Sequence, residues 1–224
     1  MTDHPLLFKP HMAQGVHDGS KTMTRRIIKN QDLFGAPPQG FEPYWFKHNE
    51  TLADKFGFES DDDTWVSPYQ ICDQLWVKEV HYEYGFWELN GVTRTGRQKK
   101  SFKGRIGIPI LFPNNPPEKV CTGFNEIGYF KRNSLFMQKK HCRTWLEITG
   151  IRVERLQDIS EEDAEKEGID VLRRLQPPGA GNAAIGIFST LWDSINGHPR
   201  KDGKDISWAA NPWAWAIEFK RIEK

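Results

Sequence analysis

The densest run of reactive side chains is Gly19-Ser20-Lys21-Thr22-Met23-Thr24-Arg25-Arg26. It places an amine, hydroxyls and two guanidinium groups within one short segment. Attack on a carbonyl carbon calls for this combination: a hydroxyl or the water it holds, a base, and a cation for the oxyanion. A lysine beside a hydroxyl serves as its base once burial lowers the amine's pKa. Strand periodicity puts Thr22, Thr24 and Arg26 on one face. A turn that runs from Gly19 through residue 21 lets Lys21 swing to the side of Thr24. The competing reading is a solvated turn leading into an edge strand, and spacing alone leaves both open.

Glu167 is the second candidate. On a helix beginning at Ser160, Ala164, Glu167, Gly168 and Val171 share a face, while Glu161, Glu162, Glu165 and Lys166 decorate the others. A carboxylate on that small, inward stripe needs a partner, because burying a lone charge is costly. The alternative is a last-turn glutamate that reaches solvent. His141-Cys142 with Cys121 hints at metal, but no second pair stands at ligand spacing, so no metal is expected. Nothing requires an organic cofactor, and no local motif supports a Ser/His/Asp triad.

The elements that must position these groups follow from pattern. Leu6-Leu7-Phe8 reads as a first strand, Met12 to Asp18 as a helix stopped by Gly19, and Thr22 to Ile28 as a strand. Gln74 to His81 and Arg143 to Leu156 alternate as strands. Ser160-Glu161-Glu162-Asp163 is close to a capping box, so a helix starts there and ends at Gly168. A further helix covers Ala184 to Ile195, ending at Gly197. In the closing WAWAIEFKRI, Trp213, Trp215, Ile217 and Phe219 alternate with smaller or polar residues, which gives a strand with one buried face. Two stretches break the pattern: about 30–68, rich in Pro, Gly, Asp and Asn, and 83–141, read as hairpins and loops. The expected fold class is α+β, a single domain over 1–224 with those two insertions.

Bulk properties narrow the function. The 224 residues carry 31 Lys and Arg against 30 Asp and Glu, a net charge of +1, which argues against coating DNA through bulk charge but leaves room for a local basic patch. Nine Trp and fourteen Phe give a core and a supply of rings able to stack on bases. Three cysteines, Cys72, Cys121 and Cys142, without CxxC spacing suit a reducing compartment. No stretch approaches the length of a membrane span, so a soluble, cytoplasmic protein is expected.

In joint order, four segments resemble the ASCH family of the PUA-like superfamily, in its long phage or prophage-type branch. GSKTMTRR at 19–26 is similar to the family's glycine–x–lysine motif. PYQICDQLWVKE at 68–79 resembles a segment reading tyrosine–x–x–glycine–aspartate–x–leucine–tryptophan–valine, with Cys72 in place of the glycine. LEITGIRVERLQDISEEDAEKEGI at 146–169 and NPWAWAIEFKRI at 211–222 resemble its strand–helix segment and closing strand. The segments span roughly half the chain. The resemblance implies a PUA-like β-barrel and a ligand that is RNA or a modified nucleoside. A small bacterial member is an amidohydrolase that removes the acetyl group from acetylated cytidine, and its catalytic lysine, threonine and glutamate match Lys21, Thr24 and Glu167. An arginine two positions beyond the threonine matches Arg26.

On this basis Thr24 attacks the amide carbonyl or positions water, Lys21 takes the proton, Glu167 orients Lys21 or protonates the leaving amine, and Arg26 stabilises the oxyanion or holds the base. A non-catalytic RNA-binding module is the competing expectation: a base stacks on Trp76 or Trp213 while Lys21, Arg25, Arg26, Lys78 and Arg143 meet phosphates. A ribonuclease using the same basic cleft is a third. No membrane or protein partner is legible.

Overall fold

The computed structural model describes residues 2–28, 68–169, 173, 183–198 and 203–223. The proposed insertion at about 30–68 lies almost wholly outside these residues. Among the described residues nine strands alternate with few helices: β1 (Asp3–Leu7), α1 (Pro10–Asp18), β2 (Met23–Ile27), β3 (Gln74–Lys78), β4 (His81–Val92), β5 (Gln98–Gly104), β6 (Val120–Cys121), β7 (Gly128–Arg132), β8 (Trp145–Arg155), α2 (Glu161–Lys166), α3 (Ala184–Asn196) and β9 (Trp213–Ile222). The α+β expectation holds. One sheet has the order β1-β3-β8-β9-β2, and a second has the order β5-β4-β7-β6. No helix among the described residues is long and apolar enough to cross a membrane.

By contacts the chain divides into two compact units. The first is Met1–His4, Gln14–Leu75 and Thr144–Lys224; the second is Pro5–Ala13 and Trp76–Arg143. The stretch read as hairpins and loops at 83–141 forms most of the second unit, including the β4–β5 hairpin and the β4–β7 antiparallel pair.

In the first unit, β9 sits between β2 and β8, antiparallel to both. Its alternation gives two different faces. Trp213, Trp215, Ile217 and Phe219 are buried on one, and Ala214, Ala216 and Glu218 lie on the other. Cross-strand partners share a face, so Arg25, Ala216 and Arg152 form one row and Ile27, Ala214 and Glu154 the next. The alanines leave space above the sheet into which long side chains from both neighbours extend.

A bulge in β8 between Ile148 and Gly150 sets which residues enter that space. It shifts the parity of the strand, so the apolar face continues from Leu146 and Ile148 to Ile151 and Val153, and Arg152 and Glu154 turn to the alanine side. A core cluster of Leu156, Ile159, Ala164, Ile169, Ala184, Ile187, Phe188 and Trp192 packs α2 and α3 together. Ser160 caps α2, its hydroxyl accepting from the Asp163 amide at 3.1 Å, as the capping pattern predicts.

Candidate functional site

α2 is short because Gly168 follows it in the left-handed conformation, φ +78°. An ideal Cβ there would stand 2.7 Å from Lys21 Cβ, so the helix end and the lysine are in direct contact across the missing side chain. Lys21 is 1% exposed and Glu167 2% exposed, so neither side chain is solvated, while β2 is the edge strand that the competing reading expected. The Lys21 ammonium donates to Glu167 Oε2 at 2.6 Å and to the Glu167 carbonyl oxygen at 2.7 Å. The backbone closes the same contact, with the Thr22 amide donating to the Lys166 carbonyl at 2.9 Å.

Arg25 reaches the other oxygen of Glu167, Oε1, at 3.3 Å, and its Nε donates to Glu154 Oε1 at 2.7 Å. It also lies 3.4 Å from Asp163 Oδ2. Arg152 extends the array: it donates to Glu154 Oε2 at 2.7 Å, to Glu218 Oε1 at 3.0 Å, and to Asp163. Three cations, Lys21, Arg25 and Arg152, are thus interleaved with Glu154, Asp163, Glu167 and Glu218. The Met23 sulfur lies beneath both guanidinium groups. The Phe188 ring flanks Arg25, 5.8 Å from its guanidinium carbon. The layer runs from the buried Lys21 to Glu218, whose side chain is 29% exposed.

Burial is the largest influence on Lys21 and lowers its pKa; the Glu167 carboxylate opposes that shift, and Arg25 and Arg26 reinforce it. Burial likewise lowers the pKa of Arg26, with Tyr69 and Glu167 acting against it, and raises that of Tyr69. Glu167 is therefore within electrostatic reach of a third cation. Thr24 is buried and pairs in register with Ile217, Arg26 with Trp215, so both lie on the face of β2 opposite Arg25. Among the described residues no hydrogen bond joins Lys21 Nζ to Thr24 Oγ1. The expected lysine–glutamate pair is present; a direct lysine–threonine pair is not.

The remaining candidates are engaged elsewhere. Arg25, expected to meet phosphate, has a fully buried side chain held by carboxylates. Trp213 is 5% exposed with the Arg155 guanidinium 4.3 Å from its ring centre, leaving little open face for a base. Trp76, Lys78 and Arg143 belong to the second unit. There the Lys78 ammonium lies 5.3 Å from the Trp76 ring and donates to the Leu135 carbonyl at 2.6 Å. Arg143 makes two bonds of 2.8 Å to Glu79 and stacks 3.9 Å over Phe112. Sequence reading missed Glu154, Asp163, Arg152 and Glu218; the alanines at 214 and 216 were the signal that long polar side chains must fill one face. Among the described residues no three His, Cys, Asp or Glu are grouped to hold a metal.

Cys72, in the place where the resembling segment has glycine, adopts φ 71°, the left-handed region. Its amide donates to the Ile148 carbonyl at 2.9 Å, and the next residue, Asp73, accepts from the amides of Thr2 at 2.7 Å and Gln70 at 3.1 Å. No family model, curated protein or solved structure matches the chain.

Proposed function

We propose that the chain is an ASCH-type protein with a PUA-like barrel, acting on a nucleoside, and that Lys21 and Glu167 serve hydrolysis of a linear amide such as that of N4-acetylcytidine. The observation that carries this reading is the buried Lys21–Glu167 pair, formed between residues far apart in sequence and both marked in advance as candidates. A lysine whose pKa is lowered by burial gives up its proton more readily than a solvated lysine and can then accept another.

The proposed reaction proceeds by addition to the amide carbonyl. Water, or the Thr24 hydroxyl, adds to the carbonyl carbon as Lys21 accepts its proton. Arg26 offsets the charge on the oxyanion. Collapse breaks the carbon–nitrogen bond, and the proton returns from Lys21 to the departing exocyclic amine, releasing cytidine and acetate. If Thr24 is the nucleophile, a water hydrolyses the acyl-threonine in a second, equivalent step. Glu167 holds the Lys21 ammonium through two hydrogen bonds and Arg25 holds Glu167. Arg25 is thereby a positioning residue.

The test is hydrolysis of N4-acetylcytidine by the purified chain beside Lys21→Ala and Glu167→Ala. Turnover in the wild type that is lost in both variants supports the reading, and kcat/KM should rise with pH as Lys21 deprotonates. A folded wild type without turnover across a panel of acylated cytidines and cytosines refutes it.

A further inference from the structure

The four-stranded sheet of the second unit is the strongest feature the buried cluster does not use. Within Pro5–Ala13 and Trp76–Arg143, fourteen Lys and Arg stand against five Glu and no Asp, a net charge of +9. The rest of the chain has seventeen against twenty-five, a net −8, so the overall +1 conceals a strong asymmetry. No acidic residue falls between Glu88 and Glu118, whereas Arg94, Arg97, Lys99, Lys100, Lys103 and Arg105 do, all of them exposed. These cations ride on an ordered ribbon. The hairpin tip is closed by the Thr93 amide donating to the Arg97 carbonyl at 2.7 Å and the Arg97 amide to Thr93 Oγ1 at 3.0 Å.

The two faces of this sheet differ. On one, Trp87, Phe102 and Phe130 pack edge to face beneath Arg132, which lies 4.2 Å over Phe102; that face is a small core. On the other, Tyr84 pairs with Tyr129 and Phe86 with Lys103, while Lys131 pairs with Tyr82. Tyr84 and Tyr129 meet edge-on at 5.2 Å and are half-buried, the Tyr129 hydroxyl donating to the Pro109 carbonyl at 3.2 Å; the exposed Lys131 flanks them, as does the exposed Lys103, which pairs with Glu88 at 3.1 Å. Lysines on the edge strand β5 alone would serve to discourage unwanted strand pairing. Half-buried rings among them are not needed for that purpose.

Cations interleaved with aromatic rings on a ribbon match a ligand with regularly spaced anions and flat apolar faces. A single nucleic-acid strand has both; a duplex hides its base faces, and an acidic peptide lacks them. We infer that the open face of β4, β5 and β7 binds single-stranded RNA, at a site sharing no residue with the Lys21–Glu167 cluster. The choice of RNA over DNA rests on the ribonucleoside reading above; the choice of a single strand does not.

The test is fluorescence anisotropy of the full chain with labelled oligouridine of about twelve nucleotides, across a salt series. Micromolar binding is expected, with log affinity falling against log salt at a slope of about −2 to −4, the value for three to six phosphates. The triple variant R94E/K99E/R105E should weaken binding at least tenfold and flatten the slope by about 2. Tyr84→Leu should weaken binding with the slope unchanged, and Lys21→Ala should bind as wild type. Thermal melts identify any variant that fails to fold; should the triple fail, Lys99→Ala alone is expected to change the slope by about 0.7. Absent or salt-insensitive binding overturns the inference, as does tighter binding of duplex RNA or an unaltered affinity in folded Tyr84→Leu. Equal or tighter binding of oligodeoxythymidine overturns the assignment to RNA. Loss of the hydrolase reading with strand binding retained leaves the single-strand site standing, so the two failures are distinguishable.

Discussion

Replacing Glu167 with Gln keeps the side-chain shape and removes the charge that compensates Lys21. Deleting one member of a buried ion pair costs about 3–5 kcal/mol when the other charge is left behind. Here Lys21 keeps its bond to the Glu167 carbonyl at 2.7 Å, and Arg25 keeps Glu154 and Asp163, so the lower end, about 3 kcal/mol at neutral pH, is expected. The pH dependence has a definite sign. Burial already holds the folded-state pKa of Lys21 below its unfolded value, so the unfolded chain binds more protons between those two values and stability rises with pH across that window. Glu167 opposes the depression, so its removal lowers the folded pKa further and extends the window toward neutral pH. Glu167→Gln should therefore regain stability on going from pH 7 to pH 10, and by more than wild type does. Urea unfolding of the wild type, Lys21→Met, Glu167→Gln and the double variant gives the cycle. The double variant should cost less than the two single changes added together, because neither charge is stranded. A loss under about 1 kcal/mol in Glu167→Gln, or strict additivity, refutes the reasoning.

Three further outcomes follow from the same geometry. Gly168→Ala combines a left-handed backbone with a Cβ 2.7 Å from Lys21 Cβ, so it should destabilise by at least about 1–2 kcal/mol and lower amide hydrolysis, measured by thermal melts and initial rates. Cys72→Gly relieves a φ of 71° and should stabilise by roughly 0.5–1 kcal/mol in urea unfolding, whereas Cys72→Ala should give no gain. Arg152→Met leaves Glu154 and Asp163 with Arg25 as their remaining guanidinium partner and should cost about 3 kcal/mol, while Lys220→Met, which breaks the exposed pair with Glu147, should cost far less. Equal losses in those two variants would show that burial does not grade the ion pairs.

Local order was largely legible in the residues themselves. Ser160 and Gly168 bracket α2 as capping chemistry requires, and the alternation from Trp213 to Phe219 marks one face of β9, because each depends on neighbours within a few positions. The first helix begins at Pro10 rather than Met12, and the first strand ends at Leu7 rather than Phe8, shifts of the size that ordinary end effects produce. Lys21 and Glu167 were identifiable as candidates from residue type and inward placement. Their pairing, and the burial that lowers the lysine's pKa, arise only when α2 is laid against the segment leading into β2. The β8 bulge decides that Arg152 and Glu154 join the layer over Ala214 and Ala216, and a one-residue parity change leaves no mark in composition. Arg25, Arg143 and Lys78 read as cations for phosphate because a charge in sequence carries no record of its partner; folding supplies carboxylates to Arg25 and Arg143 and a backbone carbonyl to Lys78. The charge asymmetry was in the sequence throughout, but only the tertiary division into units shows which residues to sum. Short-range preferences thus determined the elements and the candidate groups, and long-range packing decided which charges meet and which face the solvent.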